Sequence, residues 1–165
     1  MELNGRVAVI AGGSGGIGKS MAKAFLDEGA QAIVLADLHE ETVLATAGEL
    51  DCDAMVCDVT DETQIVRLVD ETIAKYGRID VFCSNAGAGG VGLLTDATND
   101  VWQRQWELHV MSHLYAARSV LPGMLERGEG YLLNTASAAG LLAAMGSGPY
   151  TVTKAAAVKL AEFLS

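Results

Sequence analysis

Val7-Ala8-Val9-Ile10-Ala11-Gly12-Gly13-Ser14-Gly15-Gly16-Ile17-Gly18 is an apolar pentapeptide that runs directly into a glycine-rich turn. Five consecutive apolar residues leave no polar face, so the segment reads as a strand covered on both sides, as in a parallel sheet. Beyond the turn, Met21, Ala24 and Phe25 continue from Ile17 at helical spacing, and Gly29 is placed to end that helix. Strand, glycine turn and helix in this order set bare backbone amides beside the positive end of a helix dipole. Glycines there permit positive φ and let a phosphate reach the main chain. The spacing is Gly12-x-x-x-Gly16-x-Gly18, with Gly13-x-Gly15-x-x-Gly18 superimposed on it. In the strand-to-helix context it predicts a seat for a dinucleotide's diphosphate.

The same alternation continues along the chain. Strands are expected at residues 32–36, 54–57, 81–83 and 131–136, and helices at residues 40–50 and 150–165. Ile65, Leu68, Val69, Thr72, Ile73 and Tyr76 form one helical stripe that Gly77 ends, and residues 102–127 read as mainly one long helix. Strands alternating with helices imply parallel βαβ units with right-handed crossovers. The expected fold is one Rossmann-type, doubly wound α/β domain over residues 1–165, with three α/β/α layers and strand order 3-2-1-4-5. Its site should lie at the carboxyl ends of the strands.

Composition narrows the partners. A formal charge of -10 opposes binding to nucleic acid or to an anionic membrane surface. No apolar run approaches the roughly 20 residues of a membrane span, and the first residues lack a signal peptide's organisation, so a cytoplasmic location is expected. Cys52, Cys57 and Cys83 have no C-x-x-C pairing, and His39, His109 and His113 are scattered relative to them. Neither a disulfide framework nor a metal site is expected.

Two constellations carry chemistry. Asp37 closes the second strand, 19 residues after Gly18, where a carboxylate can accept hydrogen bonds from the adenine-side ribose hydroxyls. A 2′-phosphate would meet like charge with no Arg or Lys nearby to offset it, so NAD is preferred over NADP. The alternative is that Asp37 simply caps the following helix. The second constellation is Tyr150-x-x-x-Lys154, a phenol and an ammonium on one helix face, with Ser137 at the end of strand five 13 residues earlier. An ammonium beside a phenol favours the phenolate. Tyr150 is then expected to exchange a proton with an alcohol or ketone, Ser137 to hold the substrate oxygen, and Lys154 to bond the nicotinamide ribose.

Together these motifs resemble the short-chain dehydrogenase/reductase family over residues 6–165. Ala11 to Gly18 is similar to its T-G-x-x-x-G-x-G turn, with Ala11 in the threonine place. Asp58-Val59 resembles its adenine-contacting pair, Ser84-Asn85-Ala86-Gly87 its N-N-A-G motif, and Ser137, Tyr150 and Lys154 its catalytic set. The resemblance implies that Gly12, Ser14, Gly15, Gly16, Ile17, Gly18, Asp37, Asp58, Val59, Asn85, Ala86 and Gly87, with Tyr150 and Lys154, bind NAD. It also implies that copies associate, as a dimer or tetramer, through the two long helices.

The sequence departs from the family pattern twice. His109, in Leu108-His109-Val110, stands where the family carries a catalytic Asn, and two readings stay open: a proton relay with altered pH dependence, or a helix residue with no catalytic part. Ser165 falls within an apolar helical pattern, where the family continues through two more strands and a substrate-covering segment. Strand five would then present an unpaired edge, and aggregation or obligate association is expected of these residues alone. The leading expectation is an oxidoreductase that transfers hydride between NAD(H) and a small alcohol or ketone, its pocket set by loops near residues 89–96 and 141–148. An NAD-binding sensor or interaction module, and nucleotide-sugar epimerisation, stand as alternatives.

Overall fold

The strands alternate their side chains across a single parallel sheet with helices packed on both faces. Residues 2–90, 93, 95–143 and 145–165 are described by the computed structural model. β1 (Val7–Ala11), β2 (Ala32–Asp37), β3 (Asp53–Val56), β4 (Val81–Ser84) and β5 (Tyr131–Asn134) pair in the order β3-β2-β1-β4-β5. Every pairing is parallel, with Val9 opposite both Val34 and Phe82.

The helices are α1 (Gly16–Asp27), α2 (Glu40–Leu50), α3 (Glu62–Tyr76), α4 (Asn99–Trp106), α5 (Ser112–Arg127) and α6 (Gly148–Phe163). On one face Val9, Ala11, Val34, Ala36 and Phe82 pack against Ile65 and Leu68 of α3 and Ala116 and Val120 of α5. On the other, Ala8, Ile10, Ile33 and Leu35 meet Ala22 of α1 and Val43 and Ala47 of α2. The strand residues interleave between the two clusters, the period of two that a strand covered on both sides requires.

The long helix expected over residues 102–127 is divided. It begins earlier, at Asn99, where the Thr98 side chain accepts from the Val101 amide. A π-helical turn, Glu107–Met111, then interrupts it. β5 also stops at Asn134, two residues short of the expected end, and Ser137 caps a 3-10 turn, Ala138–Gly140. Cys57 and Cys83 are buried, Cys52 is half-buried, and all three thiols are free. Among the described residues no helix is long and apolar enough to cross a membrane, and no group of three His, Cys, Asp or Glu side chains could hold a metal ion.

Candidate active site

The carboxyl ends of β1, β4 and β5 are joined by one side chain. Asn85, just past β4, donates from Nδ2 to the Gly12 carbonyl at 3.1 Å and accepts at Oδ1 from the Thr135 hydroxyl at 2.9 Å. Above this junction lies a cleft of about 630 Å³. Its walls include Gly12, Ser14, Gly15, Gly16, Ile17, Asp37, Asp58, Val59, Asn85, Ala86, Gly87, Tyr150 and Lys154, so all but one of the expected cofactor contacts meet there. Ile17 and Leu38 keep large apolar side chains exposed within it.

The glycines of the turn divide between two tasks. Gly12 has φ +72°, and a Cβ there would stand 2.7 Å from Ala86 Cα. At Gly18 a Cβ would come 2.1 Å from the Gly12 carbonyl oxygen. Gly18, the exception among the expected cofactor residues, is buried and lets the helix sit on its own loop, whereas Gly15 and Gly16 border open space. No side chain caps α1 and its first turn holds no acid, so its leading amides and the helix dipole are available to an anion. An elongated diphosphate fits that donor set, because a side chain at 15 or 16 would occupy the space it needs.

Asp37 does not cap α2; His39 occupies that position. Its Oδ2 accepts from the Ser14 amide at 3.1 Å and hydroxyl at 2.6 Å, and its Oδ1 from the Leu38 amide at 2.8 Å. The carboxylate thus ties the end of β2 to the glycine turn while bordering the cleft. Asp58 accepts from the amide and hydroxyl of Thr60, at 2.9 and 2.7 Å, and fixes the bend after β3.

Tyr150 and Lys154 share a face of α6, with the ammonium 5.9 Å from the centre of the phenol ring. Lys154 is 3% exposed, donates to the Thr135 carbonyl at 2.9 Å, and has its pKa lowered by burial. The 3-10 turn sits directly on α6: a Cβ at Gly140 would be 2.6 Å from the Lys154 carbonyl oxygen. Ser137 begins that turn, and its hydroxyl accepts from the Ala139 amide at 3.2 Å, placing it beside α6 but off the cleft wall.

His109 lies in the π-helical turn, fully buried, its ring edge-on to Tyr150 with centroids 5.2 Å apart. Burial, and then the nearby Lys154 charge, lower its pKa to about 4. Thr135 and Thr153, which hold Lys154 and His109, carried no sequence signal, since their partners are set by tertiary packing. Of the loops expected to shape a substrate pocket, residues 91, 92, 94 and 144 lie outside the described residues. The Ser147 hydroxyl donates to the Gly90 carbonyl and links the two loops, and Leu141, Leu142 and Met145 are exposed.

A family model described as short chain dehydrogenase matches residues 6–165. The chain is 36% identical over 167 residues to 3beta-hydroxysteroid dehydrogenase 2 of Eggerthella lenta, the match covering 97% of this chain and 64% of that protein. A short chain dehydrogenase/reductase from Burkholderia phymatum, solved in complex with NAD, superposes with a TM-score of 0.96 at 32% identity, covering 99% of this chain and 60% of that one. An NAD+-bound xylitol dehydrogenase superposes at 0.90 with 30% identity, over 99% and 65% of the two chains. The chain therefore spans less than two thirds of the length of these relatives. With its 3-2-1-4-5 sheet, glycine turn and Tyr150–Lys154 pair, and a family match across almost all its length, the chain belongs to the short-chain dehydrogenases.

Proposed function

We propose that this chain carries the NAD(H)-binding and catalytic part of an oxidoreductase that interconverts a small secondary alcohol and its ketone. One observation carries the reading: the Tyr150–Lys154 pair borders the same cleft as the uncapped start of α1 and the Asp37 carboxylate. The leading amides of α1 would hold the diphosphate and Asp37 the adenine-side ribose, where a 2′-phosphate would be repelled. Asp58, Val59, Asn85, Ala86 and Gly87 would line the remainder. When bound, nicotinamide supplies the hydride acceptor or donor.

The chain's own groups handle the proton. Tyr150 takes it from the alcohol oxygen during oxidation and returns it during reduction. The Lys154 ammonium, fixed by the Thr135 carbonyl, stands 5.9 Å from the centre of that phenol ring. Ser137 is read as the hydroxyl that orients the substrate oxygen. The exposed Leu141, Leu142 and Met145 favour an uncharged substrate. Association of copies through α5 and α6 belongs to the same reading, supported by exposed Leu125, Val152 and Phe163.

NADH fluorescence titration followed by an alcohol and ketone screen, with wild type beside Tyr150→Phe, tests the proposal. NADH binding with turnover that disappears in Tyr150→Phe is expected. Turnover that survives removal of the hydroxyl removes Tyr150 as the acid/base, and binding without any turnover favours a sensor.

A further inference from the structure

His109 sits where three elements meet: the π-helical turn that carries it, the loop after β4, and α6. Its Nε2 lies 3.4 Å from the Ala88 amide, and its Nδ1 lies 3.0 Å from the Thr153 hydroxyl oxygen. A backbone amide can only donate, so Nε2 must be the bare, accepting nitrogen. The Thr153 hydroxyl has one hydrogen, directed to the Pro149 carbonyl at 2.8 Å with the Tyr150 carbonyl at 3.1 Å, so it accepts from Nδ1–H. Two independent partners therefore demand the same tautomer.

This arrangement is unsuited to a relay, which must take up a proton at one nitrogen and release it from the other. It is well suited to holding a fixed distance. Ala88 directly follows the Asn85-Ala86-Gly87 segment of the cleft wall, and Thr153 lies between Tyr150 and Lys154 on α6. A Cβ at Gly87 would stand 3.5 Å from His109 Nε2 and 3.6 Å from Lys154 Nζ, so the imidazole and the ammonium border one small space. π-helical turns recur at functional sites because the extra residue re-aims a side chain without ending the helix. Here the turn delivers an aromatic ring with a donor on one edge and an acceptor on the other.

We infer that His109 is a positioning residue: a neutral imidazole, fixed in the Nδ1–H form, that fastens the Asn85 to Ala88 loop to α6 and sets the phenol of Tyr150 against the cofactor-side wall. The inference rests on the dehydrogenase reading above for what is being positioned, and on the hydrogen bonds alone for how. The titratable groups facing the ring are Lys154 and Tyr150 on α6 and His113 on α5. None is a carboxylate that would stabilise an imidazolium.

The test is nitrogen-15 NMR of the histidine rings in the wild-type chain, with NADH binding and steady-state turnover of His109→Phe and His109→Gln. The expected spectrum has a protonated Nδ1 and a bare Nε2 at His109, unchanged between about pH 5 and pH 8. His109→Phe is expected to move the Ala88 amide resonance and lower kcat about 10- to 100-fold, with NADH affinity changed less than about twofold. His109→Gln, which offers one donor and one acceptor, should recover part of that loss. A protonated Nε2, a ring that titrates within that range, or kcat unaffected by either variant overturns the inference. A wild-type chain that binds no NADH overturns the proposed function, and with it any positioning role, even if the tautomer is as expected.

Discussion

The Lys154 ammonium, 3% exposed, meets the Thr135 carbonyl oxygen at 2.9 Å, and among the described residues no carboxylate is bonded to it. A buried cation without a counter-ion costs folding free energy, as its lowered pKa reflects. Because the unfolded chain binds the proton more tightly, stability should rise as pH climbs from the folded-state pKa toward about 10.5. Lys154→Met is expected to remove turnover yet stabilise the chain by about 1 kcal/mol at neutral pH. Urea denaturation of both forms checks this, and a variant less stable than wild type at pH 7 would contradict it.

Gly16 and Gly18 should respond oppositely to an added methyl group. At Gly16 nothing lies within 4 Å of the new carbon, whereas at Gly18 it would stand 2.1 Å from a backbone oxygen. Gly16→Ala should leave the melting temperature equal or higher, since alanine favours the first helical turn by up to about 1 kcal/mol, while weakening NADH binding at least tenfold. Gly18→Ala should cost about 3 kcal/mol or more by overpacking. Paired calorimetry and NADH titration separate the two, and unimpaired NADH binding by Gly16→Ala would argue against a diphosphate at that turn.

Asp37 should set cofactor choice as well as loop geometry. Asp37→Asn removes the negative charge and keeps one side-chain oxygen, which can accept from Ser14 or from Leu38 but not from both as the two carboxylate oxygens do. The expected result is a loss of NADH affinity of about tenfold with a gain in relative affinity for NADPH, because like charge no longer opposes a 2′-phosphate. Competitive titration of the two cofactors measures the ratio. An unchanged ratio would limit Asp37 to the structural bond with Ser14.

Acid should destabilise the chain through its two buried imidazoles. Burial, assisted by the Lys154 charge, lowers both His109 and His113 to about 4 from the ordinary 6.5. For a base held below its unfolded pKa, the neutral folded form is fully favoured above pH 6.5, and that advantage is lost as pH falls to about 4. Each ring accounts for on the order of 3 kcal/mol across that window. His113→Gln should flatten the decline in denaturation free energy between pH 6.5 and pH 4; a decline as steep as wild type would assign the acid sensitivity elsewhere.

Periodicity made the architecture legible because both sheet faces are buried: β1 and β2 are runs of apolar residues that suit no other environment, and Gly29 and Gly77 mark helix ends through positive φ. Less was legible where tertiary partners decide. The π-helical turn has no compositional mark, so residues 102–127 looked uniform, although Thr98 three residues before Val101 could have located the true start. Ser137 looked like a strand end because Thr135 still donates its amide to the Ser84 carbonyl; the chain turns only afterwards. The glycines of the first turn are alike in sequence, and only the approach of Ala86 to Gly12, of Ile10 and Leu35 to Gly13 and of the Gly12 carbonyl to Gly18 separates those that pack from Gly16, which borders open space.

The two hydrogen bonds of the Asn85 side chain, to Gly12 on one side and Thr135 on the other, have a dynamic consequence. Three neighbouring strand tips share one fastener, so none can fray alone; local opening must lift all of them together. Slow, concerted amide exchange at this rim, beside faster exchange in the surrounding segments, is the motion such a latch permits. The reacting groups then keep their spacing while the periphery breathes.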